Sequence, residues 1–477
     1  MKVFKTNVAQ IDSSVDLDLK TKLAYGVGEL SNALPSNLSV FFFLFFLTNV
    51  AGLNAGWAAT IILISKVWDA VNDPLIGWIS DRIRSPFGRR YPLMVLGAIP
   101  LGLSFCLIWF VPSLPNQGLL FLYYLTILFC YDVSFTTVVL PINTLASELT
   151  QKYNERTTLV SFKSAFAIGG SIFSLVLAQV IFTFVPDKKQ QFITLGVVCG
   201  LIAIISVYLC VFGTYRRYQV IKKSRPPIID SAPSFSILQQ LKIVFSNRPF
   251  LFVMGIYLCS WLSLQTVGGI LLYFVTNCMQ LPKTYFTQMA LTFQGTALIM
   301  MFVWSLLARR IGKKEIFCWA TPITVVAIMG LFFLQPGQVT LLYVIGVMAG
   351  FGISAAYVVP WSMLPDVIDL DELNTGHRRE GVFYGFMVQL QKLGIALGLF
   401  LVGKILDAAG YIPTSSNQID IVQPASALWA IRLIISPIPA LLLGVAFILA
   451  FFYPITKKVH EEILLKLSEK RKNLSLS

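Results

Sequence analysis

The chain has 477 residues, 56% of them hydrophobic and only 13% charged, where a soluble domain carries about 25% charged residues. Its mean hydropathy is +0.74, and apolar stretches long enough to cross a bilayer recur along it. This excludes a soluble enzyme and a disordered chain and leaves a polytopic, all-α membrane protein. The formal charge of +14 fits loops facing an anionic leaflet rather than a nucleic-acid partner.

Residues 1–23 form a polar tail without the apolar core of a cleaved signal, so the first span is expected to direct insertion. Hydropathy predicts twelve spans, at 24–49, 56–80, 91–111, 118–146, 159–185, 191–214, 250–277, 285–308, 316–335, 339–364, 382–408 and 426–455. An even number puts both ends on one side. The loops after even-numbered spans hold nineteen Lys and Arg, whereas the opposite loops hold only Lys188, Lys189 and Lys283. The positive-inside rule therefore predicts cytoplasmic termini and a plasma (inner) membrane location.

Segment 216–249 is the clear linker. It runs from Arg216 and Arg217 through Pro226 and Pro227 to an amphipathic stretch, Phe235 to Phe245. It separates a six-helix bundle, 24–215, from a second, 250–456, with a cytoplasmic tail at 457–477 expected to be an amphipathic helix. The halves echo each other. Gly77-x3-Asp81-Arg82 and Gly88-Arg89-Arg90 follow span 2, and Arg309-Arg310-Ile311-Gly312-Lys313-Lys314 follows span 8. Such duplication implies a transporter with its site near the midplane. Gly77, Asp81, Arg82, Arg89 and Arg90 are the expected gating residues. The seven cysteines are scattered without a C-x-x-C pair, so no zinc site or disulfide framework is indicated.

Few charges remain inside spans, and each needs a partner or a function because a mid-bilayer charge costs ~2.5–3.5 kcal/mol. Lys404, Asp407 and Arg432 stand near span ends, where snorkelling is expected. Span 2 is the informative one, reading Lys66-Val67-Trp68-Asp69-Ala70-Val71-Asn72-Asp73-Pro74. Lys66, Asp69 and Asp73 share one helical face. Two carboxylates a turn apart repel unless something positive lies between them. A hard cation ringed by oxygen ligands would do so. The structural alternative is a Lys66–Asp69 salt bridge with Asp73 bonded to a neighbouring helix. In span 4, Asp132 and Thr136 share a face, and the Thr136 hydroxyl is a further candidate ligand. Back-bonding within its own helix is the competing use of a threonine, there or at the adjacent Thr137. Lys392, in mid-span 11, must find a carboxylate or an anionic ligand, and Asp69 or Asp73 is the expected partner. Lys66 and Lys392 are therefore coupling candidates. Glu29, Asp132, Lys163, Gln265, Tyr357, Trp361 and Gln389 are candidates for contact with substrate. Gly26 and Gly28 allow close helix approach.

These motifs resemble the glycoside–pentoside–hexuronide:cation symporters of the major facilitator superfamily, the group that includes melibiose permease. Lys22-Leu23-Ala24-Tyr25-Gly26-Val27-Gly28 is similar to the family's opening, and Trp68-Asp69-Ala70-Val71-Asn72-Asp73-Pro74 to its most specific motif. Glu148-Leu149-Thr150 with Glu155-Arg156-Thr157, and Asp366-x2-Asp369 with Gly376-His377-Arg378-Arg379-Glu380-Gly381, resemble two of its loops. The resemblance implies twelve helices in two bundles, alternating access and cation-coupled uptake. It places Asp69, Asn72, Asp73 and Thr136 at the cation site and Lys392 at the family's span-11 lysine. Positions that hold sugar in melibiose permease fall here on Ala33, Val139 and Asn143, and Asp132 is a possible substitute. Pro360-Trp361-Ser362-Met363-Leu364-Pro365-Asp366-Val367-Ile368-Asp369 is similar to sodium-dependent lysophosphatidylcholine symporters, whose substrate would suit an apolar wall.

The expectation is a secondary active symporter, carrying a sugar or glycoside-like solute with sodium or protons. Its substrate alternative is a lysophospholipid, and its alternative of another class is a non-transporting sensor on a transporter fold. Only two histidines occur, 377 and 460, and no H-E-x-x-H, G-x-S-x-G or nucleotide-binding loop is present, so neither an enzyme nor a primary pump is expected. No cofactor is expected beyond the coupling ion, with Asn72 and Thr136 leaning towards Na+ over H+. Membrane lipids are the expected surroundings, and a monomer is the expected state.

Overall fold

The structure is a computed structural model and describes residues 17–83, 85–88, 90–114, 116–150, 153–224, 237–376, 379–413 and 422–476. Every element among them is helical. The first span, Leu19–Asn49, is broken. It comprises α1 (Leu19–Val27), α2 (Leu30–Leu38), a π-helical turn at Ser39–Phe43 and α3 (Leu44–Asn49). Asp18 caps α1 by accepting the Thr21 amide at 3.2 Å. Helices α4 (Ala55–Arg82), α5 (Tyr91–Ile108), α6 (Gln117–Leu149), α7 (Tyr153–Phe184) and α8 (Lys188–Ser224) follow. Within the linker lies α9 (Ile237–Ser246), in the stretch expected to be amphipathic.

The second set runs α10 (Arg248–Tyr273) with a π-helical turn at Phe274–Cys278, α11 (Lys283–Ile311), α12 (Lys313–Phe333), α13 (Val339–Thr375) and α14 (Glu380–Ala408). The last span is split at Ser436 into α15 (Ala425–Ile435) and α16 (Pro437–Phe451), because Pro437 cannot donate a helical hydrogen bond. The tail forms α17 (Lys457–Leu476). Side-chain caps at Asn116 and Asn247 start α6 and α10. Gly376, left-handed at φ +74°, ends α13.

Among the described residues, eleven spans are long and apolar enough to cross a membrane. Helix α4 has 28 residues, ample length, but Lys66, Asp69 and Asp73 interrupt its apolar run. It completes the twelve spans. Apolar side chains cover the outside as well as filling the core. Leu96 is 72% exposed and Phe302 67% exposed, which suits a surface solvated by acyl chains. On α4, Val67, Val71 and Leu75 form such an exposed apolar stripe, while the charged face turns inward.

The chain divides into two compact units, Met1–Ser39 with Ile64–Ala232, and Val40–Leu63 with Pro233–Ser477. One border falls inside the linker. The other cuts the first two spans, so Val40–Leu63 belongs with the C-terminal helices. Within that second unit, Thr48 Oγ1 lies 2.6 Å from the Tyr273 hydroxyl, and the Tyr411 hydroxyl donates to Asn49 Oδ1 at 2.7 Å. Phe42 meets Phe286 edge-on at 5.1 Å. In the first unit, a Cβ on Gly26 would come within 2.5 Å of the Phe166 ring, and one on Gly28 within 2.9 Å of Cys210. Both glycines thus permit the close approach of α1 to α7 and α8.

Candidate functional site

The first unit holds its charge where α4 meets α6. Trp68 stacks on Phe129, with ring centroids 5.2 Å apart, and fixes the two helices in register. Asp69, Asn72, Asp132 and Thr136 are buried, while Asp73 and Lys66 are half-buried. Thr136 Oγ1 donates to Asp73 Oδ1 at 2.9 Å and stands 3.5 Å from Asp69 Oδ1. It therefore reaches across to α4, whereas Thr137 bonds back to the Val133 carbonyl at 2.6 Å. The two uses of a threonine foreseen in the sequence are divided between adjacent residues.

The rest of the cluster surrounds Lys66. Its Nζ lies 3.3 Å from Asp132 Oδ1 and 3.8 Å from Asp69 Oδ2. Ser65 Oγ donates to Asp132 Oδ2 at 2.5 Å, and Asn72 Nδ2 donates to the Asp132 carbonyl at 3.2 Å. Asp132, 1% exposed, thus stands with the Asp69 group. The sequence marked it as a candidate for substrate contact. The stripe Ser65–Asp69 at i, i+4, facing Asp132–Thr136 at i, i+4, was the signal that pairs them. Lys66 bridges to Asp69 and Asp73 bonds to a neighbouring helix, as the structural alternative for span 2 expects, and the Thr136 hydroxyl stands within 3.5 Å of an oxygen of each carboxylate.

A second polar group ties α7 to α6 and to the break after α1. Glu29 Oε1 accepts from Asn32 Nδ2 at 2.6 Å, and its Oε2 lies 3.4 Å from Lys163 Nζ. Lys163 also donates to Asn143 Oδ1. The sequence signal for Glu29 and Lys163 was their charge, whereas Asn143 stood out only by its position in the family pattern.

In the second unit an aromatic wall is built from α10, α13 and α14. Tyr257 stacks on Trp261 at 5.8 Å, and Trp261 meets Tyr357 edge-on at 5.6 Å. Trp361 meets Tyr257 edge-on at 5.7 Å and stacks on Tyr384 at 6.3 Å. Trp261 Nε1, Ser260 Oγ and Gln265 Oε1 are buried along it without a hydrogen-bond partner among the described residues. Gln389 is exposed on α14 and Lys392 half-buried there.

Of the expected gating residues, Gly77 has no atom within 4 Å of where a Cβ would stand, so packing does not demand glycine there. Arg82 is exposed in the last turn of α4. The side chain of Asp81, and Arg89, lie outside the described residues. Arg90 pairs with Glu148 at 2.6 Å, joining the start of α5 to the end of α6. The equivalent end of the second unit is denser. Lys313 Nζ lies 2.6 Å from Asp366 Oδ1, and Arg379 grips Asp371 at 2.6 and 2.9 Å. His460 of α17 stands 3.2 Å from Asp369 and 3.4 Å from Asp366. Arg432, expected to snorkel, instead donates to the Phe332 and Leu334 carbonyls at 2.7 and 2.8 Å, satisfying the exposed end of α12.

Comparison with known proteins adds the following. Residues 24–457 match the family described as MFS/sugar transport protein. The chain is 43% identical to an uncharacterized symporter, sll1374, of Synechocystis, over 98% of this chain and 99% of that one. It is 28% identical to the putative glycoside/cation symporter YagG of Escherichia coli, over 95% and 96%. It is 25% identical to the sodium-dependent lysophosphatidylcholine symporter 1-B of Danio rerio, over 98% and 93%.

Proposed function

The chain belongs to the MFS/sugar transport protein family and is a symporter of the major facilitator superfamily, and we propose that it couples a monovalent cation to the uptake of a glycoside-like solute. The observation that carries this reading is the convergence of Asp69, Asp73 and Thr136 across α4 and α6. Two carboxylates and a hydroxyl form an oxygen-rich, negative site inside a span, which a hard cation would neutralise. Sodium is the favoured ion, since a proton has no use for the hydroxyl. Asp69, Asp73, Asn72 and Thr136 hold or frame the ion in this reading, and Lys66 governs its exchange.

The substrate reading rests on chemistry. Glu29, Asn32, Asn143 and Lys163 offer both donors and acceptors, which pair with the hydroxyls of a sugar and have no partner in an acyl chain. The Tyr257–Trp261–Tyr357–Trp361 wall offers flat faces for a pyranose ring, with the unpartnered Trp261 Nε1 and Gln265 Oε1 beside it. In this reading 24–215 and 250–456 are the two bundles of an alternating-access carrier. It resides as a monomer in the plasma membrane, its termini and linker cytoplasmic, and Arg90–Glu148 is part of its gate.

The test is uptake into vesicles under an imposed sodium or proton gradient, with glycosides and lysolipids competing. Gradient-driven uptake of a glycoside that Asp69→Asn and Asp73→Asn abolish is the expected result. Coupling that survives both substitutions overturns the cation reading, and competition by lysolipids alone overturns the substrate reading.

A further inference from the structure

The α4–α6 cluster contains three carboxylates and one ammonium, and the ammonium sits between two of them. The carboxylates are held differently. Asp132 is fixed on three sides: Ser65 bonds one oxygen, Asn72 bonds its carbonyl, and the other oxygen faces Lys66. Asp69 has one oxygen towards Lys66 and the other towards Thr136, whose hydroxyl also donates to Asp73. Lys66 is a point charge on a flexible four-carbon stem, so it can shift between neighbours without rearranging the backbone.

We propose that Lys66 is a tethered counter-cation with two seats, Asp69 and Asp132, and that Asp132 receives it when the coupling cation takes Asp69 and Asp73. This rests on the reading of Asp69 and Asp73 as the cation carboxylates. An ammonium pushed off Asp69 without another carboxylate would be stranded inside a span. The 3.3 Å contact with Asp132 already exists, so only the longer, 3.8 Å contact with Asp69 has to be given up. Asp132 is then a positioning residue that sets cation affinity by keeping Lys66 away from Asp69. It is neither an ion ligand nor a substrate contact.

The experiment titrates uptake by the full-length protein in vesicles with sodium at fixed pH, and with pH at fixed sodium. Asp132→Asn removes the second seat and leaves Lys66 on Asp69. Apparent cation affinity is expected to fall on the order of tenfold, the size of effect one neighbouring charge has on a carboxylate, with the substrate KM at saturating cation unchanged. Adding Lys66→Gln to Asp132→Asn removes the competitor and is expected to restore affinity to the wild-type value or beyond. This pair of substitutions removes one charge of each sign, so the net charge of the cluster stays that of the wild type. A double variant as weak as Asp132→Asn makes Asp132 a direct ligand and overturns the proposal. A raised substrate KM at saturating cation makes it a substrate contact, with the same consequence. A wild-type protein driven by neither ion overturns both this inference and the reading beneath it, and Asp69→Asn then has no effect on uptake.

Discussion

The acidic cluster between α4 and α6 and the one at the end of α13 use the same kinds of side chain in different arrangements. At the end of α13, Asp366 has Lys313, Asp371 has the forked Arg379, and Asp369 has His460. Those partners come from α12, the loop before α14, and α17, so the cluster pins separate elements together. Between α4 and α6, the ammonium of Lys66 faces both Asp69 and Asp132, while Thr136 bonds Asp73 and Ser65 and Asn72 bond Asp132. Partners drawn from separate elements suit a cluster to holding structure. Carboxylates and a hydroxyl that converge inside a span are suited to an exchangeable cation.

That contrast can be broken experimentally. The largest effect is expected from Asp73→Asn, which removes a carboxylate of the proposed cation site. Truncating one partner of a close, desolvated charge interaction costs about 2–5 kcal/mol, so cation-driven uptake should drop on the order of a hundredfold. The rise in unfolding temperature that sodium produces through binding to the folded state should vanish with it. Lys313→Met should do the reverse. It leaves Asp366 without its ammonium and should lower stability by about 1–3 kcal/mol, measured as unfolding temperature in detergent, while the sodium-induced rise persists. Loss of that rise in Lys313→Met would merge the two clusters into one functional unit and break the comparison. Thr136→Val sharpens it, since only a hydroxyl is lost. The apparent affinity for cation in uptake assays should weaken about fivefold to tenfold, equivalent to the roughly 1 kcal/mol of one hydrogen bond.

Much of this was legible in the sequence because spans obey a simple rule. About 20 apolar residues must satisfy their own backbone, and a charge among them stands out. Lys66, Asp69 and Asp73 share a face by helical periodicity alone, and the structure keeps them there. Less legible was the partner across the helix gap. Asp132 carries the same sequence signal whether it faces a substrate or Lys66. Only the docking of Trp68 on Phe129 sets the rotation of α6 against α4 and brings it to 3.3 Å from the ammonium. Arg432 likewise looked like an interfacial residue, and proves to cap α12 because α15 packs beside that helix end.

By itself, then, the sequence determined the membrane-spanning helical architecture and singled out the expected linker and candidate coupling residues, since hydropathy, charge asymmetry and helical period are local properties of the chain. The tertiary structure decided which of those residues meet: that Thr136 turns to Asp73 while Thr137 turns back on its helix, that Asp132 shares Lys66 with Asp69, and that Val40–Leu63 packs with the C-terminal helices. Those pairings depend on how helices rotate and kink against each other, at Pro74, Pro141 and the π-helical turns, and the pattern of a single helix carries no record of its neighbour.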